Sequence, residues 1–145
     1  MKNLKTLTIL FRATNAMEIF IKQSVQPFGL NPSEFGTLEV LYHKGDLSVQ
    51  AICDKVLIAN SSMSYVIEHL ARRNLIKKIK HPDDRRVHLV SLTSSGKELM
   101  DQLYPVHAYK MRSVLDVLSL NEEELLQSLL KKLGKQEYLN FDALL

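Results

Sequence analysis

The chain holds one cysteine, Cys53, among 145 residues, too few for a disulfide framework or a Cys-rich zinc module. Its five glycines (29, 36, 45, 96 and 134) are too scattered to form a phosphate-cradling loop. No G-x-S-x-G nucleophile motif and no pair of carboxylates at a fixed spacing occurs, so the residues do not point to an enzyme. The five histidines, 43, 69, 81, 88 and 107, show no close His–His or Cys–His spacing, and Met111 stands four residues after His107 where a second ligand would be. They read as structural or solvent-facing, and neither a metal nor a cofactor is expected. No apolar run approaches the roughly 18 residues of a transmembrane helix. The N-terminal stretch meets Arg12 and Glu18 too soon for a signal peptide, so a cytoplasmic protein away from the membrane is expected.

Charge of one sign is also scarce. The formal net charge is only +3, with 46% hydrophobic and 24% charged residues and no low-complexity tract, as in a folded domain. The distribution says more than the total. Residues 55–90 carry eight basic side chains against three acidic ones, a local net of +5, and the remainder nets −2. An anionic partner for that one quarter of the chain is implied.

Residues 4–26 read as a helix, apolar around most of its girth, which places it centrally or in a subunit interface. Pro27 to Pro32 breaks it. Asn31, Pro32 and Glu34 form an N-terminal capping signature for a second helix ending at Gly45. Ser48 caps a short third helix to about Val56. Asn60 or Ser61 caps a fourth, running to Arg73 with Met63, Val66, Ile67 and Leu70 inward, and Asn74 takes the left-handed position after it. Segments 75–80 and 86–92 then form a β-hairpin with a charged tip. A helix over about 94–118 should kink or break at Pro105. Asn121 with Glu122, Glu123 and Glu124 opens a last helix, striped by Leu125, Leu126, Leu129, Leu130 and Leu133. Residues 136–145 have no clear assignment but are too apolar for a free tail. The class is mainly α with a small β-hairpin.

Helix, short helix, capped helix and charged hairpin in that order make a winged helix-turn-helix. The run Asn60, Ser61, Ser62, Met63, Ser64, Tyr65 offers short hydrogen-bonding groups to a major-groove floor. Arg72, Arg73, Lys77, Lys78 and Lys80 follow as candidate phosphate contacts, and Arg85 and Arg86 at the hairpin tip can enter the minor groove. Singly, a Ser-rich helix start is a cap and a Lys-rich strand is a protected edge. The ordered set points to double-stranded DNA.

Two stretches carry a family resemblance. Asp84-Arg85-Arg86-Val-His-Leu-Val-Ser-Leu-Thr93-Ser-Ser-Gly96 resembles the wing and exit of MarR-type transcriptional regulators, and residues 62–76 resemble their recognition helix. The resemblance implies that Arg86 inserts in the minor groove and that Asp84 holds its guanidinium. Asn74 stands where Gly is frequent, and Tyr65 where a basic residue is frequent. The resemblance further implies a homodimer built on residues 1–30 and 94–145, flanking a DNA-binding domain over 31–93 and reading a pseudo-palindromic operator. It also implies a repressor released by a small aromatic, phenolic or quinone-like effector. Candidate effector contacts are Phe11, Phe35, Leu38, Tyr42, Tyr104 and His107. Cys53, beside Ile52 and Val56, is expected to be a buried core residue. Thiol-redox sensing through Cys53 is the rival regulatory reading, and a helical adaptor that binds no DNA is the rival of a different class.

Overall fold

The computed structural model describes residues 3–56, 62–136 and 141–144. The elements in chain order are α1 (Lys5–Val25), α2 (Pro32–Lys44), β1 (Leu47–Ser48), α3 (Val49–Lys55), α4 (Met63–Arg72), β2 (Ile76–Lys80), β3 (His88–Leu92), α5 (Ser94–Leu115) and α6 (Leu120–Gly134). Two short 3-10 turns complete them, at Gln26–Phe28 and Phe141–Leu144. The chain divides into two compact units, residues 1–111 and 112–145. Among the described residues, no helix is long and apolar enough to cross a membrane.

Local chemistry sets the boundaries in the first unit. At the start of α2, Asn31 Oδ1 accepts from the Glu34 N–H at 2.8 Å while Glu34 Oε1 accepts from the Asn31 N–H at 3.1 Å. Two orphan donors are thereby satisfied reciprocally. Gly45, at φ +81°, ends α2, and the Ser48 hydroxyl caps α3 through the Ala51 N–H. Asn74 adopts the left-handed conformation at φ +57°, as expected of a helix-ending Asn. The hairpin pairs in antiparallel register from Ile76 opposite Leu92 to Lys80 opposite His88. A third strand, β1, extends this sheet on the far side of β3, in the order β1-β3-β2. At two residues it has no readable alternation.

The core of this unit joins α2, α4 and the sheet. Leu38, Ile52, Ile67, Leu70, Ile76, Val90, Met100 and Leu103 are essentially inaccessible. Met63, Val66, Ile67 and Leu70 are the buried stripe of α4, at the predicted three-and-four spacing. Thr37, a polar residue fully enclosed in this core, is satisfied by donating to the Ser33 carbonyl at 2.9 Å.

Four expectations are corrected. Cys53 is exposed, because Ile52 takes the inward position of α3 and the next residue is rotated about 100° around the helix. Pro105 lies inside α5 without breaking it. The carbonyl left without its donor is that of Asp101, an exposed residue, where water can satisfy it. The last helix begins at Leu120, not at Asn121. Ser119 is its N-cap, accepting from the Glu122 N–H at 3.2 Å while Glu122 Oε1 accepts from the Ser119 N–H at 2.9 Å. Helix α4 starts after Ser62, so Asn60 and Ser61 precede it and lie outside the described residues.

In the second unit, Arg112 bonds Asp116 through Nε at 2.8 Å and Glu123 through its terminal nitrogens, tying the end of α5 to α6. The leucines of α6 are exposed, from 41% at Leu126 to 78% at Leu120.

Candidate nucleic-acid interface

The outward side of α4 presents Ser62, Ser64, Tyr65, Glu68 and Arg72, all exposed. Ser62 occupies the N-cap position but its side chain makes no capping bond. Its hydroxyl and the first N–H groups of α4 therefore stay available, which suits phosphate or a base edge. Tyr65 is 60% exposed, an unusual position for a large ring with no buried role.

The docking of α4 is polar as well as apolar. Glu34, buried at the first turn of α2, turns Oε2 toward His69 Nδ1 at 3.1 Å and Arg73 Nη1 at 3.8 Å. Arg73 Nη1 also donates to the Gly29 carbonyl at 2.7 Å. Arg73 thus helps hold the end of α4 against the start of α2, with part of its side chain still exposed. Arg72, Lys77, Lys78, Lys80 and Arg85 are exposed and make no ion pair among the described residues.

The wing tip is organised by two side chains. His81 Nδ1 accepts from the backbone N–H groups of Asp83 at 3.0 Å and Asp84 at 3.3 Å. Asp84 Oδ1 then accepts from the Arg86 backbone N–H at 3.0 Å and from its Nε at 3.3 Å. The Arg86 side chain is 92% exposed, and its two terminal nitrogens have no protein partner among the described residues. A guanidinium anchored at Nε with both outer nitrogens open is equipped to enter a narrow groove of negative potential.

Behind α4, a cavity of about 350 Å³ lies along α2, lined by Ile21, Pro32, Phe35, Gly36, Glu39, Val40, Lys55, His107 and Met111. Phe35 and His107, both predicted, meet there with ring centroids 4.4 Å apart. His107 Nδ1 is 3.0 Å from the Ser24 hydroxyl of α1. Burial, and secondarily the Lys110 charge, pushes its pKa below the ordinary 6.5 and favours the neutral ring. The other four predicted residues are not in the lining. Leu38 is wholly enclosed in the core, and Phe11 is 68% exposed on α1. Tyr42 donates to Asp101 at 2.7 Å and packs on Tyr104, so that pair braces α2 against α5 instead.

With this geometry in place, likeness to known proteins decides the family. The MarR family model matches residues 30–88. The HTH-type transcriptional regulator MhqR of Bacillus subtilis is 38% identical over 133 residues, 92% of each sequence. The chain belongs to the MarR family. MarR-family proteins are DNA-binding transcriptional regulators, not enzymes, and the small antiparallel sheet behind α4 is their winged helix. A solved structure of Bordetella bronchiseptica BpsR, whose DNA binding is regulated by 6-hydroxynicotinic acid, superposes at a TM-score of 0.78 with 26% identity. It covers 90% of this chain and 99% of that one. Streptomyces coelicolor Sco3205, a MarR family regulator solved in complex with DNA, shares the fold at a TM-score of 0.81. At 19% identity over 94% of this chain and 92% of that one, the likeness is one of fold alone.

Within this MarR-family frame, sequence reasoning missed four residues that organise the site. His81 is part of the wing, which a His followed by Pro-Asp-Asp before a strand could have signalled as a turn-capping ring. Glu34 does double duty as cap and as anchor for α4, and only the second role needed the fold. Ser24 and Glu39 carry no sequence signal, each being one of several polar residues in its helix.

Proposed function

We propose that this MarR-family regulator is a homodimeric repressor of a pseudo-palindromic operator, released by a small aromatic, phenolic or quinone-like effector. The observation that carries the DNA-binding assignment is the wing tip, where Asp84 fixes Arg86 while leaving its outer nitrogens open. In this reading Arg86 enters the minor groove. Ser62, Ser64 and Tyr65, with Asn60 and Ser61 before them, meet the major groove, and Arg72, Lys77 and Arg85 meet phosphates. Residues 31–93 form the DNA-binding domain, and residues 1–30 and 94–145 the dimerisation region.

The dimer assignment rests on uncovered apolar surface. Leu7, Ile9 and Phe11 of α1 and Leu125, Leu129 and Leu133 of α6 are at least 42% exposed. A monomer gains nothing from that exposure, whereas a second copy burying each side chain contributes about 1.5–3 kcal/mol apiece. The effector assignment rests on the Phe35–His107 cavity, whose size suits a single-ring compound.

Mobility shift with a palindromic fragment from upstream of its own gene, run at two salt concentrations against random DNA, tests the central claim. Specific binding that weakens with salt is expected. Equal competition by random DNA would refute operator recognition. Sedimentation of a monomer at micromolar concentration would remove the dimer.

A further inference from the structure

Glu39 is the one acidic residue on the lining of the Phe35–His107 cavity, on α2 one turn beyond Phe35. It is half-buried, and among the described residues it makes no hydrogen bond and no ion pair. Burial pushes its carboxyl pKa upward, opposed by the charge of nearby His43. Every other carboxylate that packs between elements in this unit has a donor. Asp101 accepts from Tyr42 and Lys97, and Glu34 accepts from Asn31 and faces His69 and Arg73. Half-buried at the cavity wall and unengaged by any protein donor, the Glu39 carboxylate is open to a donor brought in by a ligand, which would replace the water it meets there.

Across the cavity, His107 is held through Nδ1 by Ser24, and Nε2 has no protein partner among the described residues. The remaining walls are apolar, from Ile21, Phe35, Val40 and Met111. We propose that Glu39 makes this cavity selective for uncharged aromatic ligands bearing a hydrogen-bond donor, and that it excludes aromatic carboxylates of the same size. The inference rests on the effector-pocket reading above and specifies its ligand class. A ring fits between Phe35 and Met111, an O–H or N–H donates to Glu39, and a second polar group reaches His107 Nε2. An anionic ligand instead brings a second negative charge beside Glu39 in poorly solvated surroundings, where like charges repel strongly. Lys55 also borders the cavity, but it is exposed and forms no ion pair with Glu39, so its ammonium remains in water and offsets little of that repulsion.

A matched pair of probes isolates charge from shape: 4-hydroxybenzamide and 4-hydroxybenzoate. Calorimetric titration of the full-length protein at pH 8, where Glu39 is ionised, should show the amide binding at least tenfold more tightly. Glu39→Gln should bring the two within about threefold, chiefly by improving binding of the benzoate, while Lys55→Gln should leave the amide preference in place. Equal or tighter binding of the benzoate by the wild type overturns the proposal, as does a preference unchanged by Glu39→Gln, even if both compounds release DNA and the pocket reading survives. If neither compound binds, the pocket reading itself fails and takes this inference with it. Circular dichroism of each variant confirms that the fold is retained.

Discussion

Gly96 sits in the first turn of α5, directly after the wing, and its backbone angles are ordinary for a helix. Its lack of a side chain matters for a different reason. A Cβ built there overlaps the Leu75 carbonyl oxygen, stands 3.0 Å from the carbonyl carbon and 3.2 Å from Leu92 Cδ2. That carbonyl cannot simply retreat, because it accepts from the Thr93 N–H at 3.1 Å where the wing closes onto α5. Gly96→Ala must therefore either break this bond or displace the start of β2. Overpacking costs about 1–3 kcal/mol, and the lost backbone hydrogen bond adds about 1 kcal/mol. The sum, about 2–4 kcal/mol, corresponds to a Tm lower by roughly 5–15 °C for a domain of this length. Gly134→Ala is the internal control. It ends α6 with nothing within 4 Å of a Cβ, so it should be neutral or slightly stabilising. Thermal and urea denaturation of both variants, at one protein concentration because the proposed dimer would make Tm concentration-dependent, gives the comparison. A Gly96→Ala midpoint equal to that of Gly134→Ala would show that the wing and α5 do not meet as closely as described.

Arg86→Ala should weaken operator binding by roughly tenfold or more, and Asp84→Ala by less, since it loosens the guanidinium without removing it. Mobility shift reads both, and full affinity in both variants contradicts the wing assignment. His81→Ala should reduce operator affinity severalfold with little change in Tm, because it removes the acceptor for two wing-tip N–H groups outside the core; unchanged affinity would mean the tip holds its shape without it. His107 has a folded pKa below 6.5, so the unfolded chain binds the extra proton more readily. Its contribution is present above about pH 6.5 and is lost as pH falls through the folded value. The stability of the wild type should accordingly fall more steeply on that acid limb than that of His107→Gln, and parallel urea-midpoint profiles would refute a buried neutral ring.

What could be read without coordinates was whatever depends on neighbours a few residues apart. The Asn31–Glu34 box, the Ser48 cap, the left-handed Asn74 and the β-hairpin itself all arise within short windows, and each matches the structure. Ser119 could have been found by the same logic, since Ser followed three residues later by Glu is a stronger start than the acidic run after it. The errors share another cause. Whether Cys53 points in or out depends on which face a short helix turns inward, while whether Arg73 meets solvent or Glu34 and whether Tyr42 lines a cavity or braces Asp101 depend on residues 39 and 59 positions away. Helical periodicity cannot choose a face when a helix has seven residues and one buried side chain. Half of the proposed DNA-contact set is legible as a charge pattern; the cavity is not, because its polar groups come from separate elements.

The first turns of α2 explain why one short segment matters to both halves of the site. Glu34 faces His69 and Arg73 of the recognition helix region, while the next two residues, Phe35 and Gly36, line the cavity. Successive helical residues are turned about 100° apart, so these contacts necessarily lie on different sides of the same turn. An occupant of the cavity that prefers one position of Phe35 thus acts on the turn that holds Glu34. It shifts α4 only to the extent that it binds the two positions of that turn unequally. Gly36 lets this turn lie close to α3, since a Cβ there would stand 3.2 Å from Val56 Cγ1 at the end of that helix. The charge excess over residues 55–90 supplies attraction for DNA, but attraction alone carries no control. In the proposed effector reading, control needs the turn bearing Phe35 also to bear Glu34, and in this chain the two are adjacent residues.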